Sequence, residues 1–190
     1  MKAIGCLLGL LIAFQVQAQE VVKTTRKWYV NETQIGWMMG HNNLDGANRA
    51  HISVQMLNGY RVASRFVAGL TIGADWYNDI LISPLALGLR YDLSKSKNVI
   101  PYLSFDGGYG TTLLNKTTDN LSYRGGLMVN PSFGLKFRLN DGSAIVLSAG
   151  YKHQRAERII DNGEVIGWGT QRMVKEYDLN RFVVRFGVSF

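Results

Sequence analysis

A membrane-spanning antiparallel β-barrel of about eight strands, wound up and down, is the all-β fold class that these 190 residues predict. Three observations carry that expectation. Apolar and polar residues alternate one by one over long stretches. The stretches are longer than the ~5–6 residues of an ordinary soluble strand. After residue 20 no run of about 18 apolar residues occurs, so no helix is long and oily enough to span a bilayer.

The elements follow in order. Ile35, Trp37 and Met39 mark a first, weaker stretch. Ile52, Val54 and Met56 alternate with His51, Ser53 and Gln55. Phe66, Ala68, Leu70, Ile72, Ala74 and Trp76 alternate with Val67, Gly69, Thr71, Gly73, Asp75 and Tyr77. Leu85, Leu87, Leu89 and Tyr91 alternate with Ala86, Gly88, Arg90 and Asp92. Leu103, Phe105 and Tyr109 oppose Ser104, Asp106 and Gly108. Val129, Pro131, Phe133, Leu135, Phe137 and Leu139 oppose Asn130, Ser132, Gly134, Lys136 and Arg138. Ile145, Leu147, Ala149 and Tyr151 oppose Val146, Ser148, Gly150 and Lys152. The last stretch sets Phe182, Val184, Phe186, Val188 and Phe190 against Val183, Arg185, Gly187 and Ser189. Successive strand side chains point to opposite faces, so each stretch has one oily face and one small or charged face.

Strands of ~9–13 residues match the ~9–11 that a tilted membrane strand needs. Short polar links fall at residues 63–65, 94–98 and 140–143. Longer links fall near 41–49, 78–83, 112–124 and 155–176. Short turns on one side and long loops on the other are the habit of outer-membrane barrels, with the short turns in the periplasm. An open sheet edge in hydrocarbon would cost several kcal/mol for each unpaired backbone group. Closing the sheet on itself removes the edges.

The oily faces then meet lipid and the polar faces turn inward. With about eight strands the interior is just wide enough to be filled by side chains. Arg90, Lys136, Arg138, Lys152 and Arg185 are expected inside with Asp75, Asp92 and Asp106. Buried charges need partners, so an internal ion-pair network without a wide pore is expected. Inward glycines (Gly69, Gly73, Gly88, Gly134, Gly150 and Gly187) leave room for the long cations. Trp76, Tyr91, Tyr109 and Tyr151 stand near strand ends, where barrels of this kind carry aromatic girdles.

The N-terminus is a different material. Met1-Lys2 is a short positive start, Ile4 to Phe14 is almost wholly apolar, and Val16-Gln17-Ala18 ends on a small residue. That order predicts a secretory signal peptide over residues 1–18, cleaved after Ala18, with one barrel domain over 19–190. Cys6 precedes most of the apolar run, so it is misplaced for lipidation. It leaves with the leader, and the mature chain has no thiol or disulfide chemistry. The formal charge of +7 falls to about +6 without Lys2. The 21 Lys and Arg are scattered singly rather than clustered, which argues against nucleic acid as a partner.

Several segments resemble a known family. Asn58-Gly59-Tyr60-Arg61-Val62 with Val67 to Trp76, Ile82-Ser83-Pro84 to Tyr91, Ile100-Pro101-Tyr102 to Tyr109, Phe133-Gly134-Leu135-Lys136-Phe137 and Gly150-Tyr151 are similar to small outer-membrane β-barrel domains of Bacteroidota-type envelopes. The likeness covers roughly residues 30–190. It implies an OmpA/OmpX-like eight-stranded barrel in a bacterial outer membrane, with outer-membrane lipids and lipopolysaccharide around it. The alternating C-terminus ending in Phe190 resembles the signal read by the barrel-assembly machinery, which is the partner expected during insertion.

The chemistry-bearing residues are few. His51 and Ser53 share a strand face, a spacing that resembles the His-x-Ser pair of outer-membrane lipid A deacylases. The alternation turns this pair into the lumen rather than toward lipid, so a hydrogen-bonded interior histidine is the simpler reading. Gly150-Tyr151-Lys152-His153 is similar to that family's strand, but Arg155 stands where its serine is expected. His41 lies in a loop, and three dispersed histidines suggest no metal site. Phosphate-binding loops, paired cysteines and HExxH are lacking. No catalytic, cofactor-binding or metal residue is assigned. Asn115-Lys116-Thr117 fits a glycosylation pattern and reads as an ordinary loop. Asp161-Asn162-Gly163 suggests a small hairpin above the membrane, a simple turn or a place for a partner strand.

The expected function is therefore non-enzymatic: a structural, adhesive or partner-binding membrane barrel, with long loops available to an extracellular or envelope partner. A lipid A-modifying enzyme, a porin-like narrow channel and a soluble calycin-like barrel are the alternatives.

Overall fold

The computed structural model describes residues 28–41, 48–77, 80–95, 98–115, 121–166 and 169–190. The leader expected over residues 1–18 lies outside them, as does most of the sequon after Asn115.

Eight strands form one closed barrel with neighbours paired in chain order. They are β1 (Tyr29–His41), β2 (Asn48–Ala63), β3 (Phe66–Trp76), β4 (Leu81–Asp92), β5 (Val99–Thr111), β6 (Leu121–Arg138), β7 (Ala144–Ile166) and β8 (Gly169–Ser189). Every pairing is antiparallel. Closure is made by β1 against β8, from Glu32 opposite Ser189 to Met39 opposite Phe182. Every strand edge in the oily band is thereby paired, which hydrocarbon requires.

The faces sort as the alternation predicts. Leu70, Ile72, Leu85, Leu87, Leu103, Phe105, Phe133, Leu147, Phe182 and Phe186 stand on the outer wall, exposed. In water such a surface would aggregate. Against acyl chains it is at home. Aromatic side chains gather toward the two rims. Tyr29 and Tyr60 meet edge to face at 5.8 Å on the short-turn side. Trp37, Tyr109 and Tyr151 are exposed on the opposite side.

The turns at 63–66 and 138–144 are tight because their residues suit them. In the second, the Ser143 amide donates to Asp141 Oδ1 at 2.9 Å and the Leu139 amide to the Ser143 carbonyl at 2.8 Å. Gly142 adopts φ +86°, a left-handed conformation that costs a side-chain-bearing residue ~1–2 kcal/mol.

Strand length departs from the expected ~9–13 residues. β6 has 18, β7 has 23 and β8 has 21. The segment 155–176, read as a loop, is mostly a continuation of β7 and β8, which pair out to Ile166 opposite Gly169. Asp161-Asn162-Gly163 is not the tip of a hairpin. It sits inside β7, where the register shifts between Asp161 and Val165. The links after β1, β3 and β5 are likewise shorter than expected. The cause is common to all: beyond the membrane the outer face carries charged residues such as Arg155 and Glu176 while Ala156 and Leu179 face inward, so the greasy-out, polar-in contrast is lost while backbone pairing continues.

Candidate functional site

The lumen is filled in layers. At the short-turn end, the periplasmic end in barrels of this kind, Val30, Leu57 and Val67 pack into a buried apolar cluster. At the other end Ile80, Ile82, Ala156 and Leu179 form a second, with Tyr77, Tyr123 and Tyr177 against it. Charged and amide side chains occupy the space between them.

Arg90 on β4 is the centre of that layer. Its Nε donates to Glu32 Oε1 at 2.9 Å, and its Nη1 donates to Asp106 Oδ1 at 2.9 Å. Asp106 also accepts from Thr71 Oγ1 at 2.7 Å and from Asn130 Nδ2 at 3.3 Å. Gln34 Nε2 donates to Glu32 Oε1 and to the Tyr102 hydroxyl. Its own Oε1 accepts from Gln55 and Ser148. Nearer the short-turn rim, Lys136 Nζ donates to Asp92 Oδ1 at 3.0 Å and lies 4.5 Å from the centre of the Tyr102 ring. Arg61 reaches the other Asp92 oxygen at 3.5 Å. On the opposite side Lys152 pairs with Asp75. Arg90, Lys136 and Lys152 thus each meet an opposite charge, the condition under which burial is tolerated.

Glycine positions make this possible. A Cβ on Gly88 would stand 2.3 Å from Leu57 Cδ1 and from Thr71 Oγ1. One on Gly134 would stand 2.4 Å from the Tyr102 ring. Their missing side chains are the space that Thr71, Asp106 and Tyr102 occupy.

Seven of the eight charged residues expected inside are buried there: Arg90, Lys136, Lys152, Arg185, Asp75, Asp92 and Asp106. Arg138 is the exception. It keeps the inward register but lies at the last position of β6, where it is exposed. Glu32, Gln34, Tyr102 and Arg181 also face inward, buried, and were not anticipated. Glu32 was hidden because its outward neighbours Asn31 and Thr33 are polar, so no contrast marks the strand there. Tyr102 follows Pro101 at the start of β5, where the apolar face has barely begun.

His51 and Ser53 are both buried in the lumen, as the alternation implied. The His51 ring lies 5.0 Å from that of Tyr77. The pair is turned away from lipid. His153 faces outward instead. Its Nδ1 lies 2.8 Å from Asn180 Oδ1 and 3.2 Å from Asp178 Oδ1. Asn180 and Asp178 together hold the orientation of the ring. No alcohol flanks it on that face of β7: two residues away stand Tyr151 and Arg155. Sequence reasoning missed the Asp178 partner because it stands between the segment read as loop and the last alternating stretch, where no pattern marks its face.

Asn115, the acceptor residue of the sequon pattern, ties its loop to β4. Its Nδ2 donates to the Leu81 carbonyl at 2.6 Å, and its Oδ1 accepts from the Leu81 amide at 2.8 Å. Among the described residues no cluster of three or more His, Cys, Asp or Glu could hold a metal.

No protein-family model matches the chain, and neither does any curated protein. Solved structures do. The crystal structure of the outer membrane protein OprG from Pseudomonas aeruginosa superposes with a TM-score of 0.60 at 14% identity, over 85% of this chain and 93% of that one. The solid-state NMR structure of the outer membrane protein AlkL in DMPC lipid bilayers gives 0.55 at 12% identity, over 90% and 95%. Neisserial surface protein A gives 0.51 at 13%, over 85% and 94%. With its closed eight-stranded wall, oily outside and charged within, the chain has the fold of the small barrels of bacterial outer membranes.

Proposed function

We propose that this protein is a non-enzymatic outer-membrane barrel that fills its own lumen and displays the β7–β8 hairpin to a partner outside the cell. The observation that carries the reading is the reach of that hairpin. β6 pairs with β7 as far as Leu121 opposite Ile160, and β1 pairs with β8 only up to Phe182. β7 and β8 continue together to Ile166 and Gly169. A projecting two-stranded ribbon offers backbone donors and acceptors along its edges, the means by which an extended partner segment is added to a sheet. Below it, where β6 still pairs with β7, Val174, Lys175, Glu176 and Asp178 are exposed on β8 beyond the reach of its pairing with β1. The paired charges and apolar clusters of the lumen support a structural rather than a conducting body.

The test is to replace residues 159–174 with a tight turn. The shortened protein is expected to keep its heat-modifiable migration on gels and to remain silent in planar bilayers. A photo-crosslinker at Val174 in the intact protein is expected to capture a surface partner, and one at Val62, on the short-turn side, is not. Conductance through the intact barrel, or identical capture from both positions, would overturn the reading.

A second reading is favoured by one observation, the His153–Asp178 contact on the outer face just above the oily band. An enzyme acting on outer-leaflet lipid would change the lipid A mass spectrum of cells, and His153→Ala would abolish the change. Spectra that are the same with and without the gene dismiss it.

A further inference from the structure

We propose that the barrel lumen holds a small monovalent anion of the halide class, bound by Arg185 and Ser53 beside Gly36. The site is built by register. Arg185 on β8 stands opposite Gly36 on β1, Gly36 opposite Ser53 on β2, and Ser53 opposite Asp75 on β3. Four neighbouring strands therefore place these residues in one inward row. Gly36 has no side chain to fill the row. A Cβ there would stand 2.6 Å from Arg185 Cγ, so the arginine stem lies over the glycine, whose other neighbour in the row is Ser53.

The polar atoms in this row are under-used. Arg185 is 1% exposed, and neither its Nε nor its Nη2 has a hydrogen-bond partner among the described residues. The same holds for Ser53 Oγ, at 1% exposure. Asp75 gives one oxygen to Lys152, and its Oδ1 is otherwise without a partner. A buried guanidinium with idle donors costs far more than a neutral group in the same place. Glu32 and Asp106 take hydrogen bonds from Arg90 and none from Arg185 Nε or Nη2.

The charge count points the same way. Among the described residues five buried cations (Arg90, Lys136, Lys152, Arg181 and Arg185) face four buried carboxylates (Glu32, Asp75, Asp92 and Asp106). Arg185 is the member of the set whose Nε and Nη2 take no carboxylate among the described residues. Two guanidinium N–H groups and a hydroxyl suit a spherical anion, which accepts from any direction. A multivalent oxyanion would over-neutralise the row and crowd Asp75. The apolar clusters at both ends mean that the ion enters as the barrel folds.

The test uses the full chain folded into detergent micelles in chloride, in bromide, or in gluconate of equal ionic strength. The wild type is expected to melt at a higher temperature when folded in chloride or bromide than in gluconate. Bromide-grown crystals are expected to show an anomalous peak beside Arg185 Nη2. Arg185→Gln removes the charge and is expected to lose the halide shift. Ser53→Ala keeps the charge and is expected to weaken the halide midpoint about tenfold. Equal melting in all three salts overturns the proposal, as does a wild-type crystal with water alone in the row. If Arg185→Gln does not fold, Ser53→Ala and the anomalous map of the wild type decide the matter.

Discussion

Arg90 and Asp106 meet at 2.9 Å in the middle of the lumen, while the same guanidinium grips Glu32 at 2.9 Å on the other side. One cation thus serves two carboxylates from two strands, β1 and β5, that are not neighbours in the wall. Arg90→Ala leaves both carboxylates buried without their shared partner. A loss of about 3–5 kcal/mol is expected, the usual cost of breaking a buried pair from one side. Reversible urea unfolding in micelles, followed by tryptophan fluorescence, measures it. A change under about 1 kcal/mol would mean that water reaches the network.

The space above Gly88 belongs to other side chains. Gly88→Val is expected to cost about 1–3 kcal/mol by overpacking, because Leu57, Thr71 and Asp106 all stand within 3 Å of the new Cβ. The same unfolding experiment reads it. Gly142→Ala strains one turn only, and about 1 kcal/mol is expected there from the left-handed φ. The two glycines are then distinguished by a compensating change: Thr71→Ala or Leu57→Ala partly restores Gly88→Val and does nothing for Gly142→Ala.

A charge on the outer wall tests the membrane assignment directly. Leu87 is 69% exposed, midway along β4, and Leu113 is 87% exposed in the link after β5. In a soluble protein both would tolerate arginine. In a bilayer Leu87→Arg is expected to cost about 2–4 kcal/mol, and Leu113→Arg, beyond the hydrocarbon, about 0–1 kcal/mol. Equal, small effects measured in lipid vesicles would remove the lipid-facing reading of that wall.

The loop after β5 hangs on Asn115. Asn115→Ala removes the bonds to the Leu81 amide and carbonyl and the one to the Thr112 carbonyl. Faster proteolytic nicking between residues 112 and 121 is expected in intact, folded protein, with melting changed little. Unchanged nicking would show that other contacts hold the loop.

How much of this was legible depends on what surrounds each strand. Leu85, Leu87 and Leu89 against Ala86, Gly88 and Arg90 declare both faces, because oil lies on one side and packed charge on the other. β8 is equally plain from Phe182 to Phe190. Above that level the same strand carries Val174, Lys175, Glu176 and Asp178, a stretch without period, and its continuation could be seen only in the pairing with β7. The inward face could be named from the alternation, but not its partners. That Arg90 meets Glu32 and Asp106, while Lys152 takes Asp75, depends on the stagger of strands around the closed wall. No local pattern in the sequence records that stagger.

The apolar clusters at the two ends of the lumen have one more consequence. Val30, Leu57 and Val67 pack together near one end of the lumen, and Ile80, Ile82, Ala156 and Leu179 near the other. Protons and solvent must pass greasy side chains from either direction before they reach Asp106 or Lys152. The barrel's interior is insulated like the core of a soluble protein, only turned inside out. Deuterium should therefore replace the backbone hydrogens between the stoppers far more slowly than those of the projecting ribbon.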